Sequence, residues 1–306
     1  MNLREKESLK KKILKRNELY ELQGSRLKRL LKDPIRTFSF YIMQAIAYIK
    51  PYKVTKKTLW GVPMSYYLPE GSMIYYYGFF EANVSNFLIN FLKEGDVVFD
   101  VGAHVGFYSM LSSALVGNTG HVYSFEPTPR TFATLQENTK KLNNSTVHNN
   151  AILNEETTIE FFDYGPKYSA FNTFKKRTAD EIFFRDDAEK IEVKTLSLDT
   201  YTEKNKLSPT FIKIDAEGAE SLILESMKQI LSTKFPIVSI EVSNTKEWEE
   251  NLSQSFAIFK DNNYEAYEID LKGNIQLCNP KKLRVYDNLL FIHPSKKDDI
   301  SHLIVS

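Results

Sequence analysis

The chain has little cysteine and no long apolar run, and both absences narrow the classes of protein to which it can belong. Cys278 is the single cysteine among 306 residues, which excludes an intramolecular disulfide framework and a cysteine-based zinc cluster. No apolar stretch approaches the roughly 18 residues that span a bilayer. The first sixteen residues are too charged for a signal peptide. These features predict a cytoplasmic protein.

The net charge is also small, but it is unevenly distributed. The whole chain carries +1, whereas residues 1–60 contain 16 basic and 5 acidic residues. Residues 3–32 are rich in Lys, Arg, Glu and Leu at helical spacing, and a second, apolar helix is predicted over residues 37–49. We therefore divide the chain into a basic helical N-terminal arm, residues 1–54, and one catalytic-sized domain, residues 55–306.

Two interpretations of the arm remain open. It packs on the domain or on a second subunit, which would make a dimer, or it lies on an anionic membrane surface. In the second interpretation its lysines and the side chains of Phe38, Phe40, Tyr41 and Ile42 contact lipid, and the protein is peripheral at the inner membrane surface. We expect no nucleic-acid partner, because the basic stretch lacks interleaved aromatic residues.

Beyond the arm, the pattern changes to alternating strands and helices. Residues 55–78 alternate aromatic and polar residues, which predicts one or two hairpins, and residues 81–92 predict a helix. Helices are then predicted over residues 105–115, 129–142, 217–231 and 246–260, with strand-like insertion segments at 157–162 and 191–198. Seven sheet strands are predicted over residues 97–101, 121–125, 146–149, 210–214, 236–242, 264–269 and 288–292. This order predicts an α/β, Rossmann-like domain with a mostly parallel sheet and helices on both faces.

The turn after the first sheet strand is the first candidate site, because ligands of such sheets bind beyond the carboxyl ends of the strands. Asp100, Gly102 and Gly106 belong to this turn, and its glycines let the backbone approach a ligand closely. Glu126 ends the next strand, 20 residues after Gly106, where a carboxylate can hold both ribose hydroxyls. Together these residues predict a nucleoside site. The alternative is that Asp100 and Glu126 cap the helices that follow them.

Charge favours one nucleoside ligand over another. An anionic pyrophosphate beside Asp100 would be repelled by about 4 kcal/mol per charge pair at 4 Å, if the effective dielectric constant is near 20. S-adenosylmethionine carries an ammonium and a sulfonium group instead. The turn therefore favours the methyl donor over NAD, although an NAD-dependent oxidoreductase remains the main enzymatic alternative.

A second acidic group follows later strands of the predicted sheet. Asp215 ends the fourth strand, Glu217 follows it, and Glu241 ends the next strand. Carboxylates clustered at one sheet edge need cations or hydrogen bonds to satisfy them. Asp215 is the first candidate for a general base, with Glu241 second, whereas first-turn Glu220 is assigned a structural role.

The sequence resembles the FkbM family of S-adenosylmethionine-dependent methyltransferases. The most specific part is Ile-Lys-Ile-Asp-Ala-Glu-Gly-Ala-Glu at residues 212–220. The resemblance runs from about residue 60 to residue 293. Its other segments are residues 74–81, 100–109, 125–127, 196–199 and 287–291. The resemblance implies a class I methyltransferase fold and O-methylation of a hydroxyl on a sugar, glycan, glycolipid or natural product.

The resemblance also implies site residues. It assigns Asp100, Gly102 and Gly106 to the methionine part of the donor, Glu126 to the ribose and Asp215 to the neighbourhood of the transferring methyl. Asn150 is assigned to adenine, and the cofactor-binding set further includes Glu81 and Ala103. The catalytic set is Asp215, Glu241 and Glu217.

No metal site is predicted, although the same three carboxylates, Asp215, Glu217 and Glu241, are ligands that Mg²⁺ accepts. A non-enzymatic alternative is a membrane-surface adaptor that keeps a degenerate fold and acts through its basic arm. Such an adaptor would have no affinity for the donor.

Overall fold

The computed structural model describes residues 1–22, 24–174, 188–243, 248–280 and 286–305. The helices are α1 (Leu3–Tyr20), α2 (Arg26–Lys32), α3 (Pro34–Ile49), α4 (Ser72–Tyr77), α5 (Ala82–Phe91), α6 (Phe107–Val116), α7 (Pro129–Thr139), α8 (Leu198–Lys204), α9 (Glu220–Glu225), α10 (Lys228–Thr233), α11 (Glu249–Asp261) and α12 (Lys297–Ile300). The strands are β1 (Tyr52–Lys57), β2 (Pro63–Leu68), β3 (Val97–Val101), β4 (His121–Phe125), β5 (Ser145–His148), β6 (Ala151–Ile152), β7 (Thr158–Asp163), β8 (Glu189–Leu196), β9 (Phe211–Ile214), β10 (Ile237–Ser243), β11 (Glu265–Ile269), β12 (Ile275–Leu277) and β13 (Tyr286–Ile292).

An eight-stranded sheet with the order β12-β11-β13-β10-β9-β3-β4-β5 forms the centre of the molecule. Five adjacent strands, β10, β9, β3, β4 and β5, are parallel to one another, whereas β13 is antiparallel to both β10 and β11. This topology confirms the predicted Rossmann-like, class I methyltransferase fold. The predicted number of seven strands is wrong by one, because β12 adds an antiparallel edge beside β11.

Strand β12 was missed because it has only three residues and follows a tight turn. The Asp270 carboxylate accepts hydrogen bonds from the backbone N–H groups of Lys272 and Asn274, at 2.8 Å each. Gly273 in this turn has a φ of +80°, a conformation that favours glycine. The turn returns the chain onto β11, so tertiary pairing makes a strand from a segment too short to give a period-two pattern.

The registers of the parallel strands bring the predicted site to one edge of the sheet. Val101, the last residue of β3, pairs with Phe125 of β4 on one side and with Ile214 of β9 on the other. Ile240 of β10 pairs with the same Ile214. The residues that follow these positions therefore emerge side by side.

Apolar residues cover both faces of the sheet. Within β3, Val98 belongs to the core under one face, whereas Phe99 and Val101 belong to the core under the other. Strands that are buried on both faces read as apolar runs rather than as an alternating pattern. The short β-branched run of β3 therefore follows from its central position in the sheet.

Three local predictions were wrong. Strands β1 and β2 form the predicted hairpin, but residues 72–77 are helix α4 rather than a second hairpin. The predicted helix over 3–32 is two helices, and the predicted helix over 217–231 is also two helices, α9 and α10. Helix α11 begins at Glu249, and residues 246–247 of the prediction lie outside the described residues.

The N-terminal helices pack on the rest of the protein. Leu9 and Ile13 of α1 are buried in the core beneath one face of the sheet. The Arg29 guanidinium donates a 2.7 Å hydrogen bond to the Tyr41 hydroxyl, and Thr37 Oγ1 lies 2.7 Å from the Tyr76 hydroxyl. Helix α3 therefore contacts α4 directly, while the domain boundary at residue 54 stays a prediction. Among the described residues, no helix has both the length and the apolar character needed to cross a membrane.

Candidate functional site

Gly102 sits where the ends of β3 and β9 meet, and no other residue fits there. Its φ is +76°, and a Cβ atom would lie 1.8 Å from the backbone oxygen of Asp215. The Asp215 N–H in turn donates to the Val101 carbonyl at 3.0 Å. A side chain at Gly102 would therefore push the end of β9 away, and glycine keeps Asp215 close to the turn.

Glu126 joins the turn after β3 to the loop after β4. The carboxylate is buried, and it accepts hydrogen bonds from the backbone N–H groups of His104 and Thr128, at 2.9 Å each. Thr128 is the residue that precedes α7, so Glu126 does not cap that helix in the usual way. Burial raises the pKa of Glu126 above its ordinary value. Each carboxylate oxygen has a second lone pair, so a ligand hydroxyl can still bind.

A cleft opens at this edge, and we call it the sheet-edge cleft. The predicted site residues that line it are Glu81, Gly102, Glu126, Asn150, Asp215, Glu217 and Glu241. Of the described residues around it, five are acidic and none is lysine or arginine. Such a lining favours a ligand with positive charge.

Three predicted cofactor residues do not line the sheet-edge cleft. Asp100 is buried, accepts a 2.6 Å hydrogen bond from Ser109 Oγ and pairs in register with Lys213 of β9. A Cβ atom on Gly106 would meet Leu135 of α7 at 2.6 Å, so this glycine permits close packing of the turn against α7. Ala103 lines a neighbouring cavity instead. The role of these three residues in cofactor binding stays a prediction.

Lys213 was not predicted as a site residue, yet it lies at the electrostatic centre of the site. Its ammonium group is buried and lies 2.7 Å from Asp215 Oδ2. Burial alone would lower the pKa of Lys213, but Asp215, Glu81 and Asp100 together raise it above its ordinary value. The lysine therefore stays charged and stabilises the carboxylates around it.

Two carboxyl groups of the cleft have opposite pKa shifts. Burial alone would raise the pKa of Asp215, but Lys213 and a hydrogen bond from Glu241 more than offset it, so its pKa lies below the ordinary value. Burial, with the negative charges of Asp215, Glu81 and Glu217, raises the pKa of Glu241 to about 10. At neutral pH, Asp215 is therefore ionised and Glu241 holds a proton.

Glu81 is fixed by two further side chains that the sequence did not single out. The Tyr108 hydroxyl donates to Glu81 at 2.6 Å, and the Asn288 amide donates to its other oxygen at 2.5 Å. Asn288 comes from β13, more than two hundred residues later in the chain. Its contact with Glu81 therefore connects the start of α5 to strand β13 of the sheet.

One group of carboxylates could bring its oxygens around a metal ion. Asp215, Glu217 and Glu241 each offer an oxygen atom, and these atoms lie within 4.8 Å of one another. Hard oxygen ligands suit Mg²⁺. Lys213 already provides Asp215 with a cation, however, and a metal would have to displace the proton of Glu241.

Two other predictions about this edge can be compared with the contacts. Glu220 accepts hydrogen bonds from the backbone of Ala216 and Gly218 and from the Asn251 amide, which confirms its structural role. Asn150 lines the cleft, and its amide donates to the Lys194 carbonyl at 3.3 Å. Contact between Asn150 and adenine stays a prediction.

A second cavity shares Phe80, Gly102, His104, Ala170 and Asp215 with the sheet-edge cleft. We call it the second cavity. Its other lining residues include aromatic side chains from β2 and α6 and Lys213, namely Tyr66, Tyr67, Phe107, Tyr108 and Lys213. Asp215 therefore faces two adjoining spaces.

His104 stands between the two spaces and is held by residues distant in sequence. His104 Nε2 lies 2.8 Å from Ser169 Oγ and 3.5 Å from Glu70 Oε2. Glu70 also accepts hydrogen bonds from Ser169 and from the Ala170 N–H. Burial alone would lower the pKa of His104, but Glu70 raises it above the ordinary value. His104 is therefore a hydrogen-bonded histidine in the turn after β3.

Sequence reasoning missed most of the apolar lining of the sheet-edge cleft. Ile152, Phe161 and Phe174 line it from the insertion and from the strand before it. The strand-like pattern over 157–162 was recognised, but nothing in that pattern indicates which face reaches the site.

Comparison with known proteins identifies the chemistry that this fold carries. The family model described as the methyltransferase FkbM domain matches residues 100–268, more than half of the chain. Hexuronic acid methyltransferase AglP of Haloferax volcanii is 29% identical over 162 residues, which cover 52% of this chain and 62% of AglP. This chain therefore spans less than two thirds of the length of that relative.

Solved structures resemble the chain more distantly. An FkbM methyltransferase from Methylobacillus flagellatus KT is 17% identical with a TM-score of 0.42, over 65% of this chain and 44% of that one. Aeropyrum pernix fibrillarin, solved with S-adenosylmethionine, is 14% identical with a TM-score of 0.39, over 69% of this chain and 76% of that one. Because both scores are below 0.5, the assignment rests on the family match, which also decides against an NAD-dependent oxidoreductase. The chain belongs to the FkbM family of methyltransferases.

Proposed function

We propose that the protein transfers a methyl group from S-adenosylmethionine to a hydroxyl of a sugar, in a glycan, a glycolipid or a natural product. The observation that carries this proposal is the lining of the sheet-edge cleft, which has five acidic side chains, one of them the protonated Glu241, and no lysine or arginine among its described residues. A cationic methyl donor suits such a lining, whereas a pyrophosphate does not.

The residues around the cleft fit the donor in kind. Glu126 has lone pairs for ribose hydroxyls, and Gly102 leaves room beside Asp215 for close approach of a ligand. The apolar group of Ile152, Phe161 and Phe174 suits an adenine ring. When bound, S-adenosylmethionine supplies a reactive methyl group on a sulfonium centre.

Asp215 is proposed as the general base. It is ionised, and it lines both the sheet-edge cleft and the second cavity, so a hydroxyl in the second cavity can pass its proton to the Asp215 carboxylate. Lys213 keeps Asp215 charged. Protonated Glu241 donates a hydrogen bond to Asp215 and is therefore proposed as a positioning residue rather than as the base. Glu217 contributes negative charge that keeps Glu241 protonated.

We assign the acceptor to the second cavity. Aromatic side chains such as Tyr66, Tyr67 and Phe107 provide flat apolar surfaces for the carbon face of a sugar ring, while Asp215 and Lys213 provide polar groups at one end. AglP, named as acting on a hexuronic acid, supports a carbohydrate acceptor. Orientation of the acceptor hydroxyl would supply much of the rate enhancement.

We propose that no metal ion is required, because Lys213 already supplies the cation beside Asp215. We also propose that the enzyme works in the cytoplasm and contacts the inner membrane surface through its N-terminal helices. Its net charge in residues 1–60 supports that contact.

The function is tested with methyl-labelled S-adenosylmethionine and fractionated cell extract. We expect label in the glycan or glycolipid fraction, and at least about a hundredfold less when Asp215→Asn replaces the wild-type protein. Calorimetric titration with S-adenosylmethionine and with NAD provides the second measurement, and we expect heat of binding only for the former. Label confined to protein or nucleic acid, or binding of NAD alone, would refute the proposal.

A further inference from the structure

One side of helix α3 is exposed and apolar over its whole length. Ile35, Phe38, Ile42, Ile46 and Ile49 are 84%, 65%, 45%, 51% and 87% exposed. Their spacings of three and four residues place them on one side of the helix. The exposed residues of α3 are Pro34, Ile35, Phe38, Ile42, Ala45, Ile46, Tyr48 and Ile49, and none of them carries a charge. A helix on an ordinary protein surface has charged or polar residues on its solvent side.

The opposite side of α3 already has its packing partners. Thr37 and Ala47 are buried. The Phe40 ring lies 4.8 Å from the Tyr76 ring, and the Tyr52 hydroxyl donates to the Met43 carbonyl at 3.3 Å. The exposed apolar side of α3 is therefore separate from the side that packs on the rest of the protein.

Helix α2 continues the same surface. Leu27 and Leu31 are 66% and 76% exposed. We define the apolar face by seven of the exposed apolar side chains of α2 and α3, namely Leu27, Leu31, Ile35, Phe38, Ile42, Ile46 and Ile49.

Basic residues flank the apolar face at both ends. Residues 25–57 contain nine lysines and arginines and one acidic residue, Asp33, a net charge of +8. Exposed Arg26 and Lys28 belong to α2, and exposed Lys50 follows α3. Apolar side chains bordered by cations are complementary to a bilayer surface that contains anionic lipid, where acyl chains lie beneath negative headgroups.

We propose that the apolar face docks this protein on an anionic lipid surface, with α3 lying in the plane of the interface. A second copy of the chain is a poorer occupant. In a twofold dimer the apolar face would meet the same face of the partner, and residues 25–57 of the two copies, each with a net charge of +8, would repel each other. The sequence predicted that Phe40 would contact lipid, but Phe40 packs inward on Tyr76 and does not belong to the apolar face. The proposal specifies the membrane contact and does not depend on methyl transfer.

Docking would bring the second cavity close to the lipid. Helix α3 packs against α4 and β2, and these two elements carry Tyr66, Met73 and Ile74 of the second cavity. One helical layer would therefore separate the bilayer surface from part of the cavity wall.

The test is cosedimentation of the full chain with vesicles of phosphatidylcholine alone or with phosphatidylglycerol added. We expect pelleting only with the anionic vesicles, and we expect it to weaken as salt screens the charges. The double variant Ile35→Glu/Phe38→Glu should reduce the bound fraction at least tenfold. The matched control is Leu271→Glu/Leu277→Glu, which places the same two negative charges at apolar residues that are 43% and 66% exposed outside the apolar face, and it should pellet like the wild type.

Charge and self-association are tested separately. Lys28→Glu/Lys50→Glu should weaken pelleting on anionic vesicles while the apolar face stays intact. Sedimentation velocity without lipid measures whether the chain is a dimer. The proposal is overturned if the wild type does not pellet, if Ile35→Glu/Phe38→Glu pellets normally, or if that variant converts a dimer to a monomer. Measuring the affinity for S-adenosylmethionine on the same samples keeps this outcome distinct from a failure of the proposed function.

Discussion

The sheet-edge cleft and the second cavity share Asp215, yet they are built from different kinds of structure. The cleft forms mainly at the carboxyl ends of β3, β4, β9 and β10, whose pairing places Gly102, Glu126 and Asp215 side by side. The second cavity is formed by a hairpin strand, a short helix, a buried lysine and the turn after β3. A parallel sheet therefore sets the geometry of this edge through its backbone, whereas the neighbouring cavity depends on contacts between distant segments.

This difference predicts that residues of the cleft and of the cavity control different measured quantities. Variants of the cleft should change the affinity for the donor. Variants of the second cavity should change the apparent affinity for the acceptor. Variants of Asp215, which faces both, should change turnover.

The largest expected effect is that of Asp215→Asn. The substitution keeps the shape of the side chain and removes its charge and basicity, so turnover should fall by about 10² to 10⁴ fold, the usual contribution of a general base. Steady-state transfer of labelled methyl groups measures it. Near-normal turnover of the variant with a genuine acceptor would show that Asp215 is not the base. A large loss of wild-type activity on adding EDTA would indicate that Asp215 acts as a metal ligand instead.

Glu126→Ala should weaken binding of S-adenosylmethionine and S-adenosylhomocysteine together, by on the order of 10² fold. Both ligands have the same ribose, and each hydrogen bond to a charged group contributes about 1.5 to 3 kcal/mol. Calorimetry measures both affinities. The variant also loses the contacts to His104 and Thr128, so the melting transition must be followed on the same sample. Unchanged affinity for both ligands in a folded variant would place the ribose elsewhere.

Tyr67→Ala should raise KM for the acceptor by roughly tenfold, which corresponds to about 1.4 kcal/mol, because the aromatic surface on which the sugar packs is removed. Affinity for S-adenosylmethionine should not change, because Tyr67 lines the second cavity and not the sheet-edge cleft. A simultaneous loss of affinity for the donor would show that the sheet-edge cleft and the second cavity act as one site, and that they do not control different quantities.

Glu241→Gln should change activity least of these variants. Its main effect should be on the pH dependence of the free energy of unfolding. With a folded-state pKa of about 10 and an unfolded value of about 4.3, the folded state keeps a proton that the unfolded state loses as pH rises. The free energy of unfolding therefore falls with pH in this window, by up to about 1.4 kcal/mol per pH unit. Glutamine has no proton to lose, so the variant should show a flatter pH dependence between about pH 6 and 9. Denaturant unfolding at several pH values measures the slope, and parallel slopes would show that Glu241 is ionised in the folded protein.

Local periodicity was enough to predict part of the sheet and part of the site. Strands β3 and β4 lie at the predicted residues, because short β-branched and apolar runs between helices are pleated and buried on both faces. Gly102 and Asp215 could be chosen in advance because both come immediately after such strands, and parallel strands end at a common edge.

The side chains that contact those residues could not be predicted, because they come from elements far away in the chain. Glu70 reaches His104, Asn288 reaches Glu81, and Lys213 lies among Asp100, Glu81 and Asp215. These contacts join residues from distant elements, and no local spacing encodes them. Ionisation is decided in the same way, since the proton on Glu241 depends on burial and on charges supplied by Asp215, Glu81 and Glu217. Charge states depend on distances in space, and those distances exist only once the chain has folded.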